Sequence, residues 1–292
     1  MSEPLPSFRR AAILGTGLIG GSFGHALQQT VPGIRIAGWD KESVLREAQA
    51  RGAVHEIFAG SLAAAVSGAD LVYISLPISA TSDVLPEVAR HAAPGALVTD
   101  ACSTKARICR RAAECFRSGA AFLGGHPMAG KEVSGIAHAD AGIFRGARYA
   151  LMGSEDENGR DPRAAAFAAL LKTMGAEPVW LDAETHDWAV AIVSHLPQLL
   201  SVALAGVVQE ETDETGLPVS LAGPGLRDLL RLAGSPYAMW RDVALTNAEN
   251  ISRALDRLAR AIEDLRARLT SRELESEFDA ANELYKMLRE MQ

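Results

Sequence analysis

The stretch that most constrains this chain is RAAILGTGLIGGS, Arg10 to Ser22. A short apolar run (Ala11, Ala12, Ile13, Leu14) is followed at once by Gly15, Gly17 and Gly20, and apolar residues then recur at helical spacing from Phe23 to Leu27. That order predicts a strand, a glycine turn and a helix. Gly15 permits the tight turn, Gly17 lets a pyrophosphate approach the backbone, and Gly20 lets the helix pack against its strand. The phosphates would rest on unpaired N–H groups at the helix N-terminus. Gly15, Thr16, Gly17, Leu18, Ile19 and Gly20 are therefore the expected dinucleotide cradle.

A second apolar run, Ile34 to Trp39, ends in Asp40, 20 positions beyond Gly20. A carboxylate there accepts hydrogen bonds from the adenosine ribose hydroxyls and repels the extra phosphate of NADP. Hydrogen bonds to a charged group contribute roughly 1.5–3 kcal/mol, enough to set a preference for NAD. Lys41 and Arg46 stand close by and oppose that preference.

Residues 11 to about 100 alternate strand and helix patterns. LVYISL (Leu71–Leu76) is a continuous apolar run of the kind buried in a parallel sheet, and ALVT (Ala96–Thr99) and Phe122–Leu123 start further strands. In such sheets ligands bind outside the carboxyl ends of the strands. Ser75, Leu76 and Pro77 are thus expected at the cofactor, and residues 100–105 and 124–135 at the chemistry. Tyr149–Met152 and Val179–Leu181 read as two more strands around a helix at Ala164–Met174. From Ala183 onward the pattern is helical. The expected architecture is an α/β Rossmann-like doubly wound sheet over residues 1–182 and an all-α dimerisation domain over 183–292. Ile251, Leu255, Leu258, Ile262, Leu265 and Leu269 recur at alternating steps of four and three on a charged helix. Such a stripe packs against another long helix, within one chain or across a dimer.

Hydrophobic residues make up 48% of the 292, ample for a sizeable core. The formal net charge of −7 argues against nucleic acid and anionic membranes as partners, and an anionic substrate then needs local cations. Cys102, Cys109 and Cys115 are an odd set without metal-ligand spacing and suit a reducing cytoplasm; the N-terminal residues lack an apolar signal core. Ala189–Val208 is long enough to cross a bilayer, but it carries Ser194, His195, Pro197, Gln198 and Ser201, which favours a buried central helix.

Four places carry candidate chemistry. In GGHPMAGKEVSG, His126 sits in a glycine-rich loop at a sheet edge, and a neutral imidazole beside a nicotinamide is a natural base for an alcohol losing hydride. In DACSTK, Ser103 either supports that base or caps a helix at Thr104–Cys115. His195, in SHLPQ, is either a core histidine or part of a ligand wall where Pro197 bends the helix. Arg227 and Arg231 share a helix face, with Asp228 able to fix one guanidinium; the pair is either the cation an anionic substrate requires or a solvated basic face.

GTGLIGGS, DACSTK, GGHPMAGKEVSG, SHLP and GLRDLLRLAGS…W together resemble the prephenate dehydrogenase (TyrA) family, in its order and over nearly the whole chain. The resemblance implies NAD-dependent oxidative decarboxylation of prephenate to 4-hydroxyphenylpyruvate in tyrosine biosynthesis. It implies His126 as the group that deprotonates the ring hydroxyl, with Ser103 supporting it. It also places Arg231 on a substrate carboxylate, His195 near the side chain and Glu132 near the cleft, and it makes the protein a homodimer through its helical domain. Two positions depart from the family pattern: Gln198 stands where many members have a second histidine, and Pro224 where many have glycine. Prephenate and arogenate therefore both stay open as substrates. The remaining length holds no mutase or regulatory domain, so any tyrosine feedback would act at the active site. The competing readings are a dehydrogenase of another small hydroxy acid and a non-catalytic NAD-sensing dimer.

Overall fold

The computed structural model describes residues 8–130, 133–154, 156, 161–212, 216–271 and 274–290. The first half alternates β1 (Arg10–Leu14), α1 (Leu18–Thr30), β2 (Arg35–Trp39), α2 (Glu42–Ala50), β3 (Glu56–Ile57), α3 (Leu62–Val66), β4 (Leu71–Ile74), α4 (Ile78–His91), β5 (Leu97–Asp100), α5 (Ala106–Cys115) and β6 (Ala121–Leu123). The six strands form one parallel sheet in the order β3-β2-β1-β4-β5-β6. The chain winds outward from β1 to one side and from β4 to the other, so the switch point lies between β1 and β4.

Alternation along β1 sends Ala11 and Ile13 into one core, with Phe23 and Leu27 of α1, and Ala12 and Leu14 into the other, with Leu62 of α3 and Leu85 of α4. Both faces of the central strands are covered, which is why β4 and β5 read as unbroken apolar runs. The edge strand β3 has only two residues and no periodic signal; a salt bridge from Arg10 to Glu56, 2.9 Å, ties it down.

A second sheet follows, made of β7 (Gly125–Pro127), β8 (Arg148–Met152) and β9 (Glu177–Leu181), with α6 (Pro162–Thr173) between the last two. β7 runs antiparallel to β8, and β8 parallel to β9. His126 pairs with Ala150 in this sheet. The expected loop is therefore a strand, and the imidazole stands on a hydrogen-bonded backbone.

The second half is helical: α7 (Ala183–Val190), one π-helical turn (Ala191–His195), α8 (Leu196–Glu210), α9 (Leu217–Ser220), α10 (Pro224–Leu230), α11 (Tyr237–Thr246), α12 (Ala248–Ala267) and α13 (Leu274–Glu290). The π-helical turn absorbs Pro197, whose missing N–H falls at the start of α8, so the helix runs on through the proline. The expectation of a buried central helix holds on one face only. Ala183–Glu210 forms a 28-residue helical run, and just 28% of its most apolar window is buried in the single chain. Ala191, His195, Gln198 and Ser201 face inward, whereas Val193, Val202 and Val207 are exposed. Exposed apolar side chains continue along Ile262, Leu265 and Phe278 of the last two helices.

Candidate active site

The glycine turn is built as a cradle. Gly15 has φ +90°, and a Cβ there would lie 2.3 Å from the Ser75 carbonyl oxygen. A Cβ on Gly20 would lie 1.9 Å from the Gly15 carbonyl oxygen, so α1 can close on the turn only without one. Above Gly17 there is open space, with nothing within 4 Å of a built Cβ. Gly17 is also the N-cap of α1, and no side chain caps it, so the first amides of a thirteen-residue helix face that space. Residues of this kind fit a pyrophosphate without alteration.

Gly15, Gly17, Leu18, Ile19, Asp40, Ser75, Leu76 and Pro77 line a cleft of about 950 Å³ at the switch point. Thr16 is buried beneath it: its amide donates to Asp40 Oδ2 at 2.7 Å and its hydroxyl to the same oxygen at 3.3 Å. Asp40 Oδ1 accepts from the Lys41 amide at 2.7 Å. The carboxylate that ends β2 is thereby aimed into the cleft. Gly20 lies under the turn and not on the cleft wall.

Toward the helical half the cleft meets Ser103, His126, Met239, Asp242 and Val243. A smaller cavity of about 330 Å³ adjoins it, lined by Ser103, His126, Ser194, His195 and Trp240 among others. Ser103 and His126 belong to both. His195 stands edge-on to the Trp240 ring, 5.8 Å between centroids, and the buried Trp240 Nε1–H has no hydrogen-bond acceptor among the described residues. Burial pushes His126 well below the usual imidazole pKa, and His186, Lys105 and His195 push the same way. Burial brings His195 down to about 4, against the pull of the Asp187 carboxylate. At neutral pH both rings are uncharged. The Cys102 thiol, buried beside Asp100, is pushed far above its ordinary range, which leaves no thiolate in the crevice.

The Ser103 segment is anchored in a way the local pattern did not announce. The α5 helix starts at Ala106, and Ser103 does not cap it; Asp187 of α7 does. The Asp187 carboxylate accepts from the Lys105 amide at 2.7 Å and the Ala106 amide at 2.9 Å. The Lys105 ammonium is fully buried, where it is hydrogen-bonded to Asp100 and donates to the Gly125 carbonyl at 2.6 Å. Burial works against the Lys105 charge, and the Asp100 carboxylate overrides it and raises the pKa. This pair locks the end of β5 to the start of β7, one residue before His126. Asp100, Lys105, His186, Asp187 and Asn247 all lie behind the two cavities. The sequence placed Asp100 and Lys105 only inside the strand-end window 100–105, without a role, and gave no signal for His186, Asp187 or Asn247.

Arg227 and Arg231 are exposed, and neither is among the residues lining the two cavities. Gln198, in contrast, is buried and donates from Nε2 to the Leu232 carbonyl at 2.8 Å, holding the turn after Arg231 against α8. Pro224 starts α10 on the surface. Glu132 lies outside the described residues.

This arrangement has close counterparts among known proteins. Residues 23–179 match the family model described as prephenate dehydrogenase, nucleotide-binding domain, and residues 182–290 match the one described as prephenate dehydrogenase, dimerization domain. The chain is 33% identical over 267 residues to the prephenate dehydrogenase of Lactococcus lactis, covering 91% of this chain and 72% of that protein. Its fold is similar to that of the prephenate dehydrogenase from A. aeolicus, solved with hydroxyphenyl propionate and NAD+, at a TM-score of 0.87 and 23% identity over 98% of this chain and 99% of that one. It is likewise similar to Synechocystis arogenate dehydrogenase, with a TM-score of 0.79 and 26% identity over 97% of this chain and 100% of that one. A nucleotide cradle at the switch point, a histidine on a fixed strand at its mouth and two matched family models spanning residues 23–290 lead to one conclusion: the chain belongs to the prephenate dehydrogenase family.

Proposed function

We propose that this protein catalyses the NAD-dependent oxidative decarboxylation of prephenate to 4-hydroxyphenylpyruvate, carbon dioxide and NADH. The observation that carries this reading is the position of His126 and Ser103, which face both the nucleotide cleft and the smaller cavity beside it. Bound NAD supplies the hydride acceptor. His126, neutral at working pH, takes the proton of the ring hydroxyl as the carbon beneath it is oxidised and returns it to that oxygen once the ring is aromatic. The Ser103 hydroxyl shares that hydrogen bond and orients the substrate oxygen. Loss of the ring carboxylate as carbon dioxide is driven by aromatisation, so the protein needs only to hold the ring and exclude water. His195 borders the substrate side chain, Arg231 and Arg227 are assigned to the substrate's carboxylates, and Glu132 is assigned a place near the cleft. Asp40 favours NAD, because a carboxylate in the cleft wall repels a 2′-phosphate.

The chain divides after Asp182 into a cofactor half and a substrate and dimerisation half, and it works as a homodimer through its C-terminal helices. Leu200, Val202, Val207, Ile262 and Phe278, exposed on one copy, support that pairing. Three free cysteines agree with a cytoplasmic location.

The test is direct. Pure protein is incubated with NAD and prephenate while reduced-cofactor absorbance and carbon dioxide are followed together. His126→Ala is expected to lower turnover by about 10²–10⁴-fold while NAD still binds, the range of general acid–base contributions. Turnover within threefold of wild type removes His126 from the mechanism. Arogenate is the second reading: Gln198, standing where many family members have a histidine, is held on the Leu232 carbonyl and lines neither cavity. Arogenate in place of prephenate in the same assay separates the two.

A further inference from the structure

His126 works as a base only if the nitrogen facing the substrate carries the lone pair. Its Nδ1 lies 2.9 Å from His186 Nε2, and His186 Nδ1 lies 2.8 Å from Asp187 Oδ1. His186 and Asp187 are buried and line neither cavity. The Asp187 carboxylate, already accepting two backbone amides, only accepts, so the hydrogen between it and His186 belongs to Nδ1 of the imidazole. A neutral ring has one N–H. His186 Nε2 therefore accepts, the hydrogen between the two rings belongs to His126 Nδ1, and His126 Nε2 is left bare.

The same residue reaches the second histidine through its backbone. The Asp187 carbonyl accepts from Asn247 Nδ2 at 2.7 Å, and that nitrogen lies 3.3 Å from His195 Nδ1. Asn247 Oδ1 accepts from Asn250 Nδ2 at 2.9 Å, which, with the Asp187 carbonyl on Asn247 Nδ2, orients the Asn247 side chain with its NH₂ toward His195. An amide nitrogen only donates, so His195 Nδ1 accepts and its single N–H is at Nε2.

We infer that Asp187, acting through His186 on one side and Asn247 on the other, holds the two crevice histidines in opposite tautomers: His126 with a bare Nε2 that takes a proton, His195 with an Nε2–H that donates to substrate oxygen. The inference rests on His126 being the base, and it makes His186, Asp187 and Asn247 positioning residues. The charged and titratable groups around the pair are Lys105 and Asp100 from the β5–α5 side, Asp187 on α7 and His195 on the π-helical turn. Burial, with the Lys105 ammonium pushing the same way, holds the His126 pKa down and keeps that ring uncharged.

Long-range ¹H–¹⁵N correlation spectra of the full chain, labelled at histidine and loaded with NAD, read each tautomer directly. The expected result is Nδ1–H for His126 and Nε2–H for His195, with the two rings assigned by the signals lost in His126→Ala and His195→Ala. Asp187→Ala removes the acceptor that fixes the His186 tautomer, so nothing then enforces Nδ1–H on His126. His126 is then expected to populate Nε2–H beside Nδ1–H, with kcat down at least tenfold and the KM for NAD within threefold, the direction of a wrong-tautomer histidine. Because that variant also loses the α5 cap, His186→Phe, which keeps the cap, is measured beside it and is expected to lower kcat at least tenfold and shift its acid limb. Wild-type His126 found as Nε2–H, or His186→Phe with unchanged kcat and pH profile, overturns the inference. Neither result touches the His126→Ala test of the base itself.

Discussion

The Asp242 carboxylate on α11 accepts hydrogen bonds from both the amide and the hydroxyl of Ser79, at 2.9 and 2.6 Å, across 163 residues of sequence. Ser79 lies in the first turn of α4, directly after Ser75, Leu76 and Pro77, so a residue of the helical half caps a helix of the sheet half. The Ser79 hydrogen bonds hold the Asp242 carboxyl below its ordinary pKa. Asp187 does the same for α5. Two aspartates thus fix the width of the crevice that both cavities share.

Removing the first of these contacts should loosen the crevice. Asp242→Ala is expected to cost about 1–2 kcal/mol of stability, the usual value of a helix cap, and to raise KM for cofactor and substrate together. Denaturant titration and steady-state kinetics on the same preparation check it. Unchanged stability would mean that water replaces the carboxylate at no cost.

The glycine turn separates ligand space from packing space. Gly17→Ala places a methyl group where nothing lies within 4 Å, so the variant should fold like wild type and lose nucleotide affinity. Gly20→Ala drives a Cβ to 1.9 Å from the Gly15 carbonyl and should be destabilising by roughly 1–3 kcal/mol or more. Thermal melts with and without NAD distinguish the two effects. Equal melting temperatures for both variants would contradict the geometry.

Stability should fall on mild acidification. A histidine whose folded pKa lies below its unfolded value of about 6.5 takes up a proton on unfolding. Its contribution is complete above about pH 6.5 and is lost as the pH drops toward the folded value, which for His195 is about 4. His126 is shifted in the same direction. Each ring contributes a slope of up to about 1.4 kcal/mol per pH unit in that window. His195→Gln should remove one share of it. For the same reason kcat/KM should stay flat as pH falls through 6.5, declining only well below; a midpoint near 6.5 would mean that His126 titrates as an exposed imidazole.

Arg231 poses a separate question, because it is exposed in the single chain and lines neither cavity. If its guanidinium binds a substrate carboxylate, Arg231→Ala should raise the KM for prephenate at least tenfold and leave that for NAD unchanged. An unaltered KM for prephenate places this arginine outside the site.

Much of this molecule was legible one residue at a time. The apolar run at Ala11–Leu14, the spacing of Gly15, Gly17 and Gly20, and Asp40 at the end of β2 are local patterns, and local patterns are what backbone geometry and strand burial impose directly on sequence. His126, Ser103 and His195 were readable because strand ends and a proline-marked helix turn are positions where side chains meet ligands. The two-residue β3 carried no period to detect, and the central helix is buried over only 28% of its most apolar window because only one face has a partner within the chain. What only the tertiary structure decided is the polar machinery behind the crevice. Asp187 reaches Lys105 across 82 residues, His126 meets His186 across 60, and Asn247 meets His195 across 52. Hydrogen bonds between such distant residues leave no periodicity in the chain. They exist because a buried polar group must find its partner wherever the fold brings one within about 3 Å.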